Sequence, residues 1–179
     1  MWLIGIMIAL LINLQTVFSF SISMTRILRL TLFLYLIINS VLAQTKVVKF
    51  PELEAILKKK EGPVQVINFW ATWCGPCVKE LPMFEQVNAN NPNIKVTLVS
   101  LDFADKLDKV DAFVARKNMK SAVLLLDDID YNSWIDKVEK SWEGAIPATL
   151  IFNPTTGKRV FTQHELKEGE LEKLIESVQ

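Results

Sequence analysis

The chain has 179 residues, half of them hydrophobic, with 20 basic and 20 acidic side chains, a length that suits one domain of ordinary size. Its charge is unevenly spread: all 20 acids lie at Glu52 or later, and the first 43 residues carry only Arg26 and Arg29. Without those two arginines the remainder has a net charge of −2, which excludes the broad basic field that a nucleic-acid partner requires.

In chain order, two apolar runs come first, at 2–14 and 30–43, divided by a polar patch that contains Met24. Read from Met24, the segment MTRILRLTLFLYLIINSVLAQ has a basic start, an apolar stretch short for a spanning helix, and Val41 and Ala43 ahead of Gln44. That is the pattern of a secretory signal. Residues 1–43 are therefore read as a signal peptide or a membrane anchor, with Met24 as an alternative start. No cysteine lies near Ala43 to take a lipid. The working domain is expected at 46–179, in an extracytoplasmic space that permits disulfides.

From Lys46 onward, apolar runs rich in branched residues alternate with amphipathic stretches, which predicts an α/β domain with a central sheet flanked by helices. PELEAILKKK reads as a helix that opens at Pro51 and is ended by Gly62-Pro63. VQVINF reads as a buried strand, and 78–90 as a helix that Pro82 should kink. IKVTLVSLD is the next strand. Leu107, Val110, Phe113 and Val114 mark one face of a helix over 106–118, and AVLLLD follows as a short apolar strand. These two crossovers predict two parallel pairings. ATLIFN and KRVFTQ flank the turn-forming 154–157 and predict an antiparallel hairpin, and 168–178 reads as a closing helix. The sheet is expected to be mixed.

Cys74 and Cys77, the only cysteines, lie between the first long strand and its helix, in FWATWCGPC. Here the first sulfur meets the unpaired amides and positive dipole end of the helix, which favour a thiolate. Residues three apart on a helix lie one above the other, so Cys77 can close on Cys74 without moving the backbone. Pro76 fits the first turn, where a missing amide donor costs nothing. Three other readings compete with redox exchange. A structural staple across so small a loop removes little entropy from the unfolded chain. Structural zinc wants four ligands, and the chain adds only His164, otherwise read as a surface residue without a role. Copper(I) suits two soft thiolates. Trp70, ending a strand, reads as packing; Trp73, beside the helix start, reads as docking surface or as a shield over Cys77; Trp134 and Trp142 read as the core of an extra segment at 127–144.

NFWATWCGPCVKELP, with GAIPATLIFN about seventy residues further on, resembles the thioredoxin superfamily and, within it, the TlpA/ResA-like extracytoplasmic thiol-disulfide oxidoreductases. The likeness extends over nearly all of 46–179. It implies a thioredoxin-like fold with the 127–144 insertion ahead of a cis-proline strand, and an enzyme whose cofactor is nothing beyond its own redox-active disulfide, with no metal. By that resemblance Cys74 is the attacking cysteine and Cys77 the buried resolving one. Pro147 matches the cis-proline, and the backbone of Ile146 is left unpaired for an extended substrate. Trp73, Gly75 and Pro76 complete the docking surface. Glu80 matches an acid that takes part in the proton balance of the cysteines. Asn68 departs from ordinary thioredoxins, which carry a buried aspartate there, and an amide neither takes up nor delivers a proton at neutral pH. The resemblance and the Gly75-Pro76 pair imply a protein-disulfide reductase. Its partners would be client proteins with disulfides or thiols, apocytochrome c in cytochrome c maturation among them, and a membrane electron donor that no residue identifies. The competing function is delivery of copper(I) or haem by the same two sulfurs.

Overall fold

The computed structural model describes residues 45–179 together with Arg29 and Thr31. The signal or anchor and the start at Met24 fall, those two residues apart, outside the described residues. The chain divides into Met1–Leu42 and Ala43–Gln179, and the second unit carries the fold. Among the described residues no helix is long and apolar enough to cross a membrane.

A strand buried on both faces has no polar side to show, and VQVINFW has none: all seven residues of β2 (Val64–Trp70) are buried. It sits inside a six-stranded sheet of order β1-β4-β3-β2-β5-β6, with β1 at Lys46–Val48, β3 at Ile94–Ser100, β4 at Ala122–Leu126, β5 at Ala148–Phe152 and β6 at Arg159–Thr162. β2 runs parallel to β3, from Val64 opposite Ile94 to Trp70 opposite Ser100, and antiparallel to β5. β3 pairs with β4 and β4 with β1, both in parallel, and β5 and β6 form the expected hairpin. The sheet is therefore mixed. Edge strand β1 is absent from the sequence reading because three residues are too few to show a period.

Side chains alternate across a strand, so β2 feeds two cores. Val66 and Trp70 point to the layer of α2 (Gly75–Asn90), α3 (Leu107–Lys117) and α5 (Glu170–Val178), where Trp70 meets Phe113 at 5.2 Å between ring centroids. Ile67 and Phe69 point to the opposite layer, made by α1 (Phe50–Leu57) and by the insertion with its short α4 (Ile135–Val138). There Phe69 lies 4.5 Å from Trp142 and 6.4 Å from Trp134, which stacks on Phe50. The two tryptophans of the insertion thus pack onto the sheet and are not a separate core. Asn68, between Ile67 and Phe69, points to the α2 side.

Two helix boundaries differ from expectation. α1 stops at Leu57, five residues before Gly62, because Lys58, Lys59, Lys60 and Glu61 offer nothing apolar to bury. α2 begins at Gly75, three residues before the expected start, and is continuous through Pro82 to Asn90, so the proline costs it one backbone bond without ending it.

Candidate functional site

β2 ends at Trp70, and the four residues before α2 carry the chain to the first cysteine. Their path is fixed from β3: Asp102, itself 5% exposed, accepts from Thr72 N (2.9 Å), Thr72 Oγ1 (2.6 Å) and Ser100 Oγ (2.7 Å). Cys74 then caps α2, its sulfur accepting from Cys77 N at 3.3 Å. Cys74 and Cys77 are joined in a disulfide, with Cα atoms 5.3 Å apart. Cys77 is wholly buried, whereas Cys74 keeps 6% of its surface, so any access to the pair is by way of Cys74. An amide already aimed at Cys74 Sγ stabilises negative charge there when the bond opens.

Across from the sulfurs runs the loop into β5. Ile146–Pro147 is a cis peptide, and Cys74 Sγ lies 3.9 Å from the Ile146 carbonyl oxygen. Among the described residues no backbone–backbone hydrogen bond outside the helices and strands involves Ile146. Gly144, two residues earlier, has φ +85°, a conformation that favours glycine. Trp73 is 69% exposed, and Gly75 and Pro76 are exposed beside it. Trp73, Ile146 and, from the insertion, Tyr131, Trp134 and Trp142 line a groove of about 340 Å³.

Glu80 sits beneath the pair, one helical turn after Cys77 and 1% exposed. Both of its oxygens are held: Oε1 accepts from Asn68 Nδ2 at 2.8 Å and Oε2 from Leu166 N at 2.9 Å. Burial pushes its carboxyl above the usual value of 4.5, with help from Glu165, and the hydrogen bonds from Leu166 and Asn68 offset only part of that. Asn68 Nδ2 donates also to Thr149 Oγ1 at 3.1 Å. His164 is on the surface, with ring nitrogens 2.7 Å from Thr162 Oγ1 and 2.8 Å from Glu170 Oε1.

The fold thus brings Cys74, Cys77, Ile146, Pro147 and Glu80 into one place, with Trp73, Gly75 and Pro76 on its rim. Sequence reasoning named these but missed Asp102, Thr149 and Leu166. A signal existed for the first two: Asp102 follows the strand of SLD, and Asn68 and Thr149 are polar residues in otherwise apolar buried strands. Leu166 contributes only its amide, which no side-chain pattern reveals.

A family model described as the AhpC/TSA family matches residues 46–157. Thioredoxin Y, chloroplastic, from Oryza sativa subsp. japonica is 27% identical over 57% of this chain and 64% of its own length. Thiol-disulfide oxidoreductase ResA from Oceanobacillus iheyensis is 27% identical over 68% of this chain and 60% of its own length. The chain thus spans less than two thirds of either curated relative. Among solved structures, a thioredoxin-related protein from Neisseria meningitidis serogroup B matches with TM-score 0.56 and 24% identity, over 65% of this chain and 84% of that one. A secreted disulfide oxidoreductase of Mycobacterium tuberculosis matches with TM-score 0.52 and 21% identity, over 66% and 84%. These likenesses show a thioredoxin-like fold.

Proposed function

The chain belongs to the AhpC/TSA family, as a TlpA/ResA-like member of the thioredoxin superfamily, and on that premise we propose that it is a thiol-disulfide oxidoreductase that reduces protein disulfides. The observation that carries this reading is the pair itself: one accessible and one buried sulfur at a helix N-terminus, with the unpaired Ile146 backbone beside the accessible one. In the reduced protein Cys74 thiolate attacks a client sulfur, the client disulfide breaks, and its leaving thiolate takes up a proton. Cys77 loses its proton and attacks Cys74 Sγ. The second client thiolate leaves and is protonated, and two electrons have passed to the client as Cys74–Cys77 closes. Glu80, one turn from Cys77, is the group to receive the Cys77 proton. The client segment lies extended along Ile146 as an added strand, with Trp73, Gly75 and Pro76 framing it.

The TlpA/ResA-like relationship and the apolar character of 1–43 support an extracytoplasmic setting, with that segment as signal or tether. They support apocytochrome c as one client, in cytochrome c maturation. Restoring the dithiol there requires two electrons, assigned to a membrane-bound thiol donor. No cofactor is needed beyond the disulfide. Within this fold potentials run from about −270 mV for reducing members to about −120 mV for oxidising ones, and the reductase reading predicts a Cys74/Cys77 couple near the first figure.

Cys77→Ala tests the exchange: it should accumulate client proteins linked to Cys74 by mixed disulfides, seen as bands that disappear on reduction. A variant that traps nothing, with a wild type that binds one copper(I) tightly and leaves a test disulfide intact, would sink the reading.

A further inference from the structure

We propose that Asn68 is a positioning residue for Glu80, one that keeps both of its oxygens paired whether or not it carries a proton, by turning its own amide end for end. This deepens the reductase reading, since it matters to turnover only if Glu80 handles the Cys77 proton.

Each partner of Glu80 limits where its proton can sit. Leu166 N can only donate, so Glu80 Oε2 must remain an acceptor in both states. The carbonyl oxygen of a protonated carboxyl accepts better than its hydroxyl, which favours the proton on Oε1, the oxygen that faces Asn68. With the observed orientation, a protonated Oε1 would confront the Asn68 amide hydrogens, donor against donor. A carboxamide resolves this by a half-turn, which replaces Nδ2 with Oδ1 at the same place.

Such a turn is costly wherever each end of an amide has its own partner. Here it is not. Asn68 is wholly buried, both its side-chain hydrogen bonds are made by Nδ2, and Oδ1 has no partner among the described residues. After the turn Oδ1 accepts from Glu80 Oε1–H and from Thr149 Oγ1–H, whose hydroxyl serves equally as acceptor or donor. Two bonds exist before and two after, with one end of the amide unpartnered in each state. Thr149 is held for this by register, since it lies directly opposite Asn68 on β5. An aspartate at position 68 would instead set a second acid against the first.

The charged groups around Glu80 do not substitute for this device. Glu165, from the segment between β6 and α5, disfavours the carboxylate and His164 favours it. On α2 itself, Lys79 is engaged with Glu165 at 2.6 Å, with its side chain 76% exposed. None of these hydrogen-bonds to Oε1.

The test uses the oxidised full chain, following the Glu80 carboxyl carbon and the Asn68 side-chain amide by NMR against pH. In the unmodified protein the Asn68 amide signals should move at the Glu80 midpoint. Asn68→Leu, close in volume but without donor or acceptor, should shift that midpoint upward, because the charge-assisted bond lost by the carboxylate is stronger than the neutral one lost by the acid. Asn68→Asp should split it into two separated steps as the two acids share one proton. The pH profile of peptide-disulfide reduction should move with the midpoint in Asn68→Leu. Asn68 signals that stay fixed through the Glu80 titration overturn the proposal, and this needs no variant to fold. An unchanged midpoint in a folded Asn68→Leu also overturns it. If the two signals titrate together while the wild type reduces no test disulfide, the positioning is supported and the reductase reading fails.

Discussion

Glu80 is where burial and chemistry conflict. A carboxyl whose native titration lies above 4.5 holds its proton to higher pH folded than unfolded. Its contribution to stability is therefore fully present below the unfolded value and is lost as pH rises through the native one. Glu80→Gln is a fixed copy of the neutral acid: its carbonyl can accept from Leu166 N and its amide can donate to Asn68 Oδ1. The variant should melt above the wild type at neutral pH, and the difference should close as pH falls below about 4.5. Thermal melts of both proteins from acid to neutral pH measure this, and a constant difference would show that the charge on Glu80 is not what destabilises. Gly75, in contrast, is not demanded by space or backbone: a Cβ there meets nothing within 4 Å, and its φ is not positive. The glycine of the CGPC motif is thus free of packing duties.

At the scale of elements, the cysteine loop depends on a strand that is distant in sequence. Asp102, two residues past the end of β3, accepts three hydrogen bonds, two of them from Thr72, and this sets where the loop enters α2. Asp102→Ala leaves the Thr72 and Ser100 donors unpaired in a buried corner, which should cost about 2–4 kcal/mol. The urea midpoint should fall with an unchanged slope, and a loss within error of zero would mean that α2 positions Cys74 unaided. This dependence marks what a sequence can and cannot disclose. β2, β3, β4 and the β5–β6 hairpin were legible because branched apolar runs and turn residues act locally. The cysteine pair, Pro147 and Glu80 were legible because they stand in motifs of fixed spacing. The bonds from Asp102, Thr149 and Leu166 were not, since they join residues 30, 81 and 86 positions from their partners. Only the completed sheet brings these together. The early end of α1 at Leu57 is a milder case: helix-forming lysines continued the pattern, but burial did not.

Over the whole of the second unit, the insertion decides whether the site stands on one core or two. Trp142 is 3% exposed and packs within 4.5 Å of Phe69, 5.6 Å of Trp134 and 6.0 Å of Phe161 between ring centroids. Its indole Nε1 donates to Ala145 O at 2.8 Å, next to the Ile146–Pro147 peptide. One side chain therefore ties the sheet, the insertion and the loop that carries Ile146 and Pro147. Trp142→Ala should cost about 3–5 kcal/mol, a large share of the roughly 5–15 kcal/mol by which domains are stable. Trp142→Phe separates the two roles, because it retains most of the packing and loses the hydrogen bond, at a cost of about 1 kcal/mol. If the indole holds the loop for an extended client, Trp142→Phe should lower kcat/KM for a peptide disulfide and leave reduction of a small aromatic disulfide nearly unchanged, since the small molecule needs Cys74 but no aligned backbone. Equal losses with both substrates would trace the effect to the cysteines. A Trp142→Ala protein as stable as the wild type would make the insertion an appendage, and the groove that it lines with Trp73 and Ile146 would then have a wall that the fold does not need.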